Sequence, residues 1–224
     1  MGREDPYADG VAISTLTRAL QFGYPARTRS VGVHFKPWGL APFLALPAAE
    51  LRDRPVTVEQ LWGRPAAAEL TERPAAAAGP RQMLALLERA LLRRLRETAG
   101  LDLVRDTTGV IAASAGAVAI GELQTAAGVS STLLARRFKE VVGMTPKRLA
   151  RVYRFAATVT EIDPSGPVDW LELAARAGYY DQAHFGNDFR AFTGLFPTRY
   201  LDVRRRFLDE HPGHALNVGL LPGV

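Results

Sequence analysis

Residues 123–149, LQTAAGVSSTLLARRFKEVVGMTPKRL, and residues 173–201, LAARAGYYDQAHFGNDFRAFTGLFPTRYL, follow one plan. Leu123, Ala127 and Gly128 match Leu173, Ala177 and Gly178 at an offset of 50; after one inserted residue, Leu134, Phe138, Gly143, Pro146 and Leu149 match Phe185, Phe189, Gly194, Pro197 and Tyr200 at 51. A short apolar helix stops at a glycine, which suits a left-handed residue in a sharp turn. Ser130 or Asp181 then supplies a capping oxygen for a second helix. That helix carries Leu134 and Phe138, or Phe185 and Phe189, at a four-residue step that buries one face. Each copy closes with Pro146 or Pro197 opening a further helix, where the missing N–H is no loss. The spacing reads as two helix-turn-helix units, about 119–143 and 169–194, joined by a linker helix at about 146–160.

Helical projection assigns the faces. The first unit's second helix buries Leu134, Phe138, Val141 and Val142 and turns Thr132, Arg136 and Lys139 outward, with Ser131 and Ala135 flanking. An outward arginine can make paired hydrogen bonds to a guanine edge in a major groove. The second unit presents Gln182, Gly186, Asn187 and Arg190, with Ala183 beside them. Gln and Asn pair with adenine, while Ala and Gly let the backbone come close. Any amphipathic helix needs a polar face, but two tandem units sharing this polarity favour DNA reading. The linker helix is expected to bury Leu149, Val152, Ala156 and Val159 and to expose a stripe of Lys147, Arg151 and Arg154 suited to phosphates.

Asp181, His184 and Asp188 also suggest a metal or acid-base site by their spacing. A cheaper reading makes Asp181 an N-cap, gives His184 partial burial beside the phenylalanines or a phosphate contact, and sends Asp188 to solvent or to a nearby arginine.

The stretches AIGELQTAAGVSSTLLARRFKEVVGMTPKRLARVYRF and WLELAARAGYYDQAHFGNDFRAFTGLFPTRYL resemble the AraC family of bacterial transcription regulators over roughly residues 118–201. The run from Gly178 through Asp181, Phe185, Phe189 and Gly194 to Pro197 is close to that family's signature. The resemblance implies base reading by Ser131, Thr132, Ala135 and Arg136 and by Gln182, Ala183, Gly186 and Asn187. Phosphate contacts are expected from Arg137, Lys139, Lys147, Arg151, Arg154 and Arg190. Double-stranded DNA is the expected partner, with RNA polymerase and a second copy joined through the N-terminal region as further candidates.

Composition narrows the alternatives. The 224 residues include no cysteine and four histidines, which removes disulfides, thiolate zinc and thiol chemistry, including the cysteine acceptor of DNA-repair methyl transfer. His34 stands alone, and His211 and His214 offer two metal ligands where catalytic sites need three. No catalytic residue, metal or cofactor is expected, and the chain is read as a non-enzyme. The polar N-terminus and the absence of a long apolar run point to a cytoplasmic protein with no membrane partner. Net charge is +5, yet from Arg136 to Arg154 seven basic residues face one acid, Glu140, whereas from Asp169 to Glu210 six basic residues face seven acidic ones. The first unit is therefore expected to carry most of the electrostatic affinity.

The expected fold is mainly α: a tandem helix-turn-helix bundle with a linker helix, preceded by a small α+β N-terminal segment. Residues 1–80 are read as a few strands, including an alternating run through Val31, Val33 and Phe35, with Pro/Ala-rich connectors. Too little strand-like sequence is present for a closed ligand-holding barrel. Residues 81–100 read as one connecting helix with a stripe of Met83, Leu84, Leu87, Leu91 and Leu95, ended by Gly100. The DNA-binding domain spans 101–210 and a Pro/Gly-rich tail 211–224. The rival reading is a protein-interaction or effector-binding module with vestigial DNA binding.

Overall fold

The computed structural model describes residues 10–18 and 31–210. Among them the protein is mainly α-helical, with helices α1 (Val58–Trp62), α2 (Arg64–Ala75), α3 (Pro80–Leu92), α4 (Leu101–Ala113), α5 (Ile120–Ala127), α6 (Ser131–Val141), α7 (Pro146–Thr160), α8 (Trp170–Arg176), α9 (Gln182–Thr193) and α10 (Pro197–Glu210). Strands β1 (Val11–Ile13) and β2 (Pro55–Thr57) pair antiparallel, Val11 opposite Thr57 and Ile13 opposite Pro55. Cα packing divides the chain into two units. One comprises the described parts of residues 1–16, 24–108 and 127–145; the other comprises those of 17–23, 109–126 and 146–224. Helix α6 therefore groups with the N-terminal elements, and α7 to α10 form the body of the second unit.

In the first unit, Leu44, Ala48, Leu51 and Val56 are buried together, with Leu40 and Leu61 packed against them. Short 3-10 turns at Ala41–Phe43 and Ala48–Leu51 place these side chains. Helix α1 starts in a capping box: Gln60 N donates to Thr57 Oγ1 and Thr57 N to Gln60 Oε1. Trp62 donates its indole N–H to Phe43 O at 2.9 Å and carries the Arg94 guanidinium over its ring.

Three expectations for this region need correction. Residues 31–36 form no strand; β1 pairs instead with β2, so the alternating pattern at Val31, Val33 and Phe35 found no partner. The Ala/Pro-rich connector from Arg64 is helix α2, because alanine is the best helix former and Pro65 sits in the first turn where it is tolerated. The connecting helix ends at Leu92, and Leu84 and Leu95 are exposed while Met83 and Ala90 are buried. Gly100 instead precedes α4, accepting from Val104 N through its carbonyl.

The second unit is organised around aromatic side chains. Phe185 and Phe189 are fully buried, and Phe189 meets Phe155 and Tyr200 edge-on at 5.1 Å each. Leu173, Ala174, Val159, Ile162 and Leu201 complete this core. The linker helix falls at α7 as its spacing predicts, but its buried face is Leu149, Ala150, Phe155, Thr158 and Val159. Ala156 is exposed, because Phe155 offers far more apolar area than alanine and takes the place in the core.

Candidate nucleic-acid interface

Helix α8 is capped by Asp169, whose Oδ1 accepts from Leu171 N and Glu172 N at 3.0 Å each. The chain turns at Gly178, left-handed at φ 73°, and Tyr179 N donates back to Ala174 O. Asp181 then caps α9 by accepting from His184 N at 2.6 Å. Inward lie Phe185, Asp188, Phe189 and Thr193. Outward, Gln182, Ala183, Asn187 and Arg190 are exposed and Gly186 is half-buried, with nothing within 4 Å of where a Cβ would stand. Replacing Asp181 by alanine should cost about 1 kcal/mol, with most of it restored by asparagine. Thermal melts of the two variants check this, and equal losses would remove the cap from the account.

The Asp-His-Asp spacing resolves into three separate jobs. His184 is exposed, so of its two expected places partial burial is not found, and its ring stands edge-on to Tyr179 at 5.2 Å. Tyr179 itself is buried; burial, with the Asp188 carboxylate adding, pushes its phenol up to about 12, against Arg154 and Arg151. Asp188 does not face solvent. It is 5% exposed and takes two hydrogen bonds from Arg151 on α7, Nη2 to Oδ1 at 2.5 Å and Nε to Oδ2 at 3.3 Å. Among the described residues no group of three or more His, Cys, Asp or Glu could hold a metal ion. His34 is exposed, and His211 and His214 lie outside the described residues.

Helix α6 is capped by Ser130, whose Oγ accepts from Leu133 N at 3.3 Å. Leu134, Phe138, Val141 and Val142 are all buried, as the projection requires, while Ser131, Thr132, Arg136 and Lys139 are exposed and Ala135 is half-buried. Its exposed side borders a groove of about 570 Å³ whose far wall is Pro47 and Ala49, and Ser131, Thr132, Ala135, Arg136 and Lys139 line the near wall. The end of α6 is held by the N-terminal region: Thr15 Oγ1 donates to Val142 O at 2.9 Å and Arg52 Nη1 to Gly143 O at 3.5 Å. These partners lie 127 and 91 positions away in sequence, so no local pattern could have announced them.

The six residues expected on phosphates divide by their existing contacts. Arg137 bonds Glu140 at 2.9 Å, with its stem against Gly100; Arg151 holds Asp188; Arg154 donates to Gly116 O at 3.0 Å. Lys139 and Lys147 are exposed and have no ion pair among the described residues. Arg190 is exposed with its guanidinium over the Phe196 ring at 5.1 Å. Three of the six cations thus have a structural task that their spacing did not reveal.

Residues 123–203 match the family model of a helix-turn-helix domain. The match takes in the turn at Gly128, both capped second helices and the linker α7. No curated protein sequence matches the chain. Among solved structures it is similar to ToxT from Vibrio cholerae O395, at 13% identity and a TM-score of 0.41, over 63% of this chain and 59% of that one. The chain therefore spans under two thirds of that protein's length. No helix among the described residues is long and apolar enough to cross a membrane.

Proposed function

We propose that this chain is a sequence-specific DNA-binding transcription regulator of the AraC type, a non-enzyme acting in the cytoplasm, which places α6 and α9 in adjacent major grooves. The observation that carries the reading is the repetition of one arrangement. In both helix-turn-helix segments an oxygen-capped second helix buries two large apolar residues four apart and leaves exposed side chains able to address base edges. Base reading falls to Ser131, Thr132, Ala135 and Arg136 and to Gln182, Ala183, Gly186 and Asn187. Lys139, Lys147 and Arg190 are the best placed of the phosphate contacts, and Arg137, Arg151 and Arg154 contribute less because their guanidinium groups are engaged. RNA polymerase and a second copy of the chain belong to the same proposal as further partners.

The test is selection of bound sequences from random duplexes followed by a salt series. Two half-elements about one helical turn apart are expected. Three to five neutralised phosphates give a log-log salt slope of about −2.7 to −4.5. A single short element would confine base reading to one unit, and no binding at low salt would refute the proposal. Arg136→Ala should cost about 1–3 kcal/mol at one base position and little on random duplex. Equal losses on both would demote Arg136 to a phosphate contact. The groove beside Pro47 and Ala49 favours one second reading, an effector-binding module; ligand binding without any DNA binding would select it.

A further inference from the structure

Tyr180 is 93% exposed, the highest value among the large apolar and aromatic side chains described. A lone exposed aromatic needs no explanation by itself. Its position supplies one. Tyr180 stands immediately before the Asp181 cap of α9, where an apolar side chain ordinarily packs onto the fourth helical residue, here Phe185, and fixes the angle at which the chain enters the helix. Tyr179 already does this: it is buried, with its ring 5.2 Å from Phe185. Two adjacent tyrosines thus divide, one into the core and one fully into water, and α9 needs nothing from the second.

The surroundings of Tyr180 say what a phenol there can do. Its exposed neighbours along the chain are Asp181, Gln182, Ala183 and His184, of which Gln182 and Ala183 lie on the arc assigned to base reading. The cation of α9 is Arg190, near the other end of the helix and resting on Phe196. The first turn of α9 therefore holds no arginine or lysine, and from Asp169 to Glu210 acids outnumber bases seven to six. A reader with this charge distribution gains little from ion pairing at its leading end. A neutral donor can still fix its register, because tyrosine hydroxyls are among the groups that position proteins on phosphate oxygens.

We propose that the Tyr180 hydroxyl donates a hydrogen bond to the DNA phosphate flanking the bases addressed by Gln182 and Ala183, anchoring the second unit without a charge. This rests on the DNA-binding reading above and adds a contact which that reading does not contain.

The test uses the full chain and the duplex selected by the wild type, comparing Tyr180→Phe, Tyr180→Ala and Arg190→Ala across a salt series. Tyr180→Phe is expected to lose affinity about 5- to 10-fold on selected and random duplexes alike. Its salt slope should stay at the wild-type value, because losing a neutral donor changes no counterion release. Arg190→Ala should instead lower the slope by about 0.9. With Tyr180 in solvent, both tyrosine variants should melt with the wild type. Wild-type binding by Tyr180→Phe overturns the proposal; if Tyr180→Ala alone is weak, the ring rather than the hydroxyl makes the contact. A loss confined to the selected duplex also overturns it, by making Tyr180 a base reader. If the wild-type chain binds no duplex, the DNA-binding reading fails first and takes this one with it, so the two failures are told apart before any variant is compared.

Discussion

The Arg151→Ala protein is expected to unfold at a lower temperature than the wild type, with a loss of about 2–4 kcal/mol. Asp188 is 5% exposed on the inner side of α9, and its carboxylate takes both hydrogen bonds of the Arg151 guanidinium. Removing the arginine leaves a buried carboxylate without its counterion, which costs more than the pair itself contributes. The Arg151 side chain is 44% exposed, so water can reach the vacated position and hold the loss below the full cost of a sealed pair. Asp188→Ala should cost less, since the arginine it abandons can be hydrated. The double variant should be more stable than the two single losses added together, and thermal melts of the four proteins in a mutant cycle measure the difference. The spacing of Lys147, Arg151 and Arg154 had suggested a phosphate stripe. If Arg151→Ala melts with the wild type while its salt slope falls, Arg151 is a phosphate contact and its pairing with Asp188 contributes no stability.

Arg151 also marks where sequence reading reaches its limit. The signals that did locate elements are local: Ser130 and Asp181 as caps, Gly128 and Gly178 as left-handed turns, Pro146 and Pro197 as helix starts. Each acts within one helical turn, so six consecutive helices, α5 to α10, fall where those residues put them. Asp188 shows a conflict between two local signals. It lies three residues after Phe185 and hence on the core side of α9, yet its charge argues for solvent. A guanidinium on another helix decides the matter, and nothing within α9 encodes it. In α7 the same four-residue rule admits Ala156 as readily as Phe155, and only the edge-on contact with Phe189 and the stack on Phe192 separate them. Among the residues expected to read bases, all but the half-buried Ala135 and Gly186 are exposed, which was legible because exposure is the complement of the buried apolar step. The groove wall at Pro47 and Ala49 was not, since it is built by a segment some eighty residues upstream.

That remote segment gives the second large effect: Gly143→Ala should destabilise the protein by about 2–4 kcal/mol. Gly143 follows the last turn of α6 at φ 89°, a conformation that costs an alanine about 1–2 kcal/mol in any surroundings. The surroundings are also closed. A Cβ there would stand 2.9 Å from Ala48 O and 3.2 Å from Ala48 C, backbone atoms of a 3-10 turn whose Ala48 is 2% exposed and packed with Leu44, Leu51 and Val56. Neither side can yield by a side-chain rotation, so the end of α6 or the turn must move. Two other glycines isolate the contact from the backbone penalty. Gly128 and Gly178 have φ of 63° and 73° with nothing within 4 Å of a Cβ, so Gly128→Ala and Gly178→Ala should show the conformational cost alone. Equal melting losses for all three would mean that the turn at Ala48 gives way freely. A larger loss at Gly143, accompanied by relaxed base preference at the position assigned to Arg136, would show that the N-terminal region seats the first reading helix: the variant touches none of the exposed residues of α6, and only a shift of the helix end connects it to the bases.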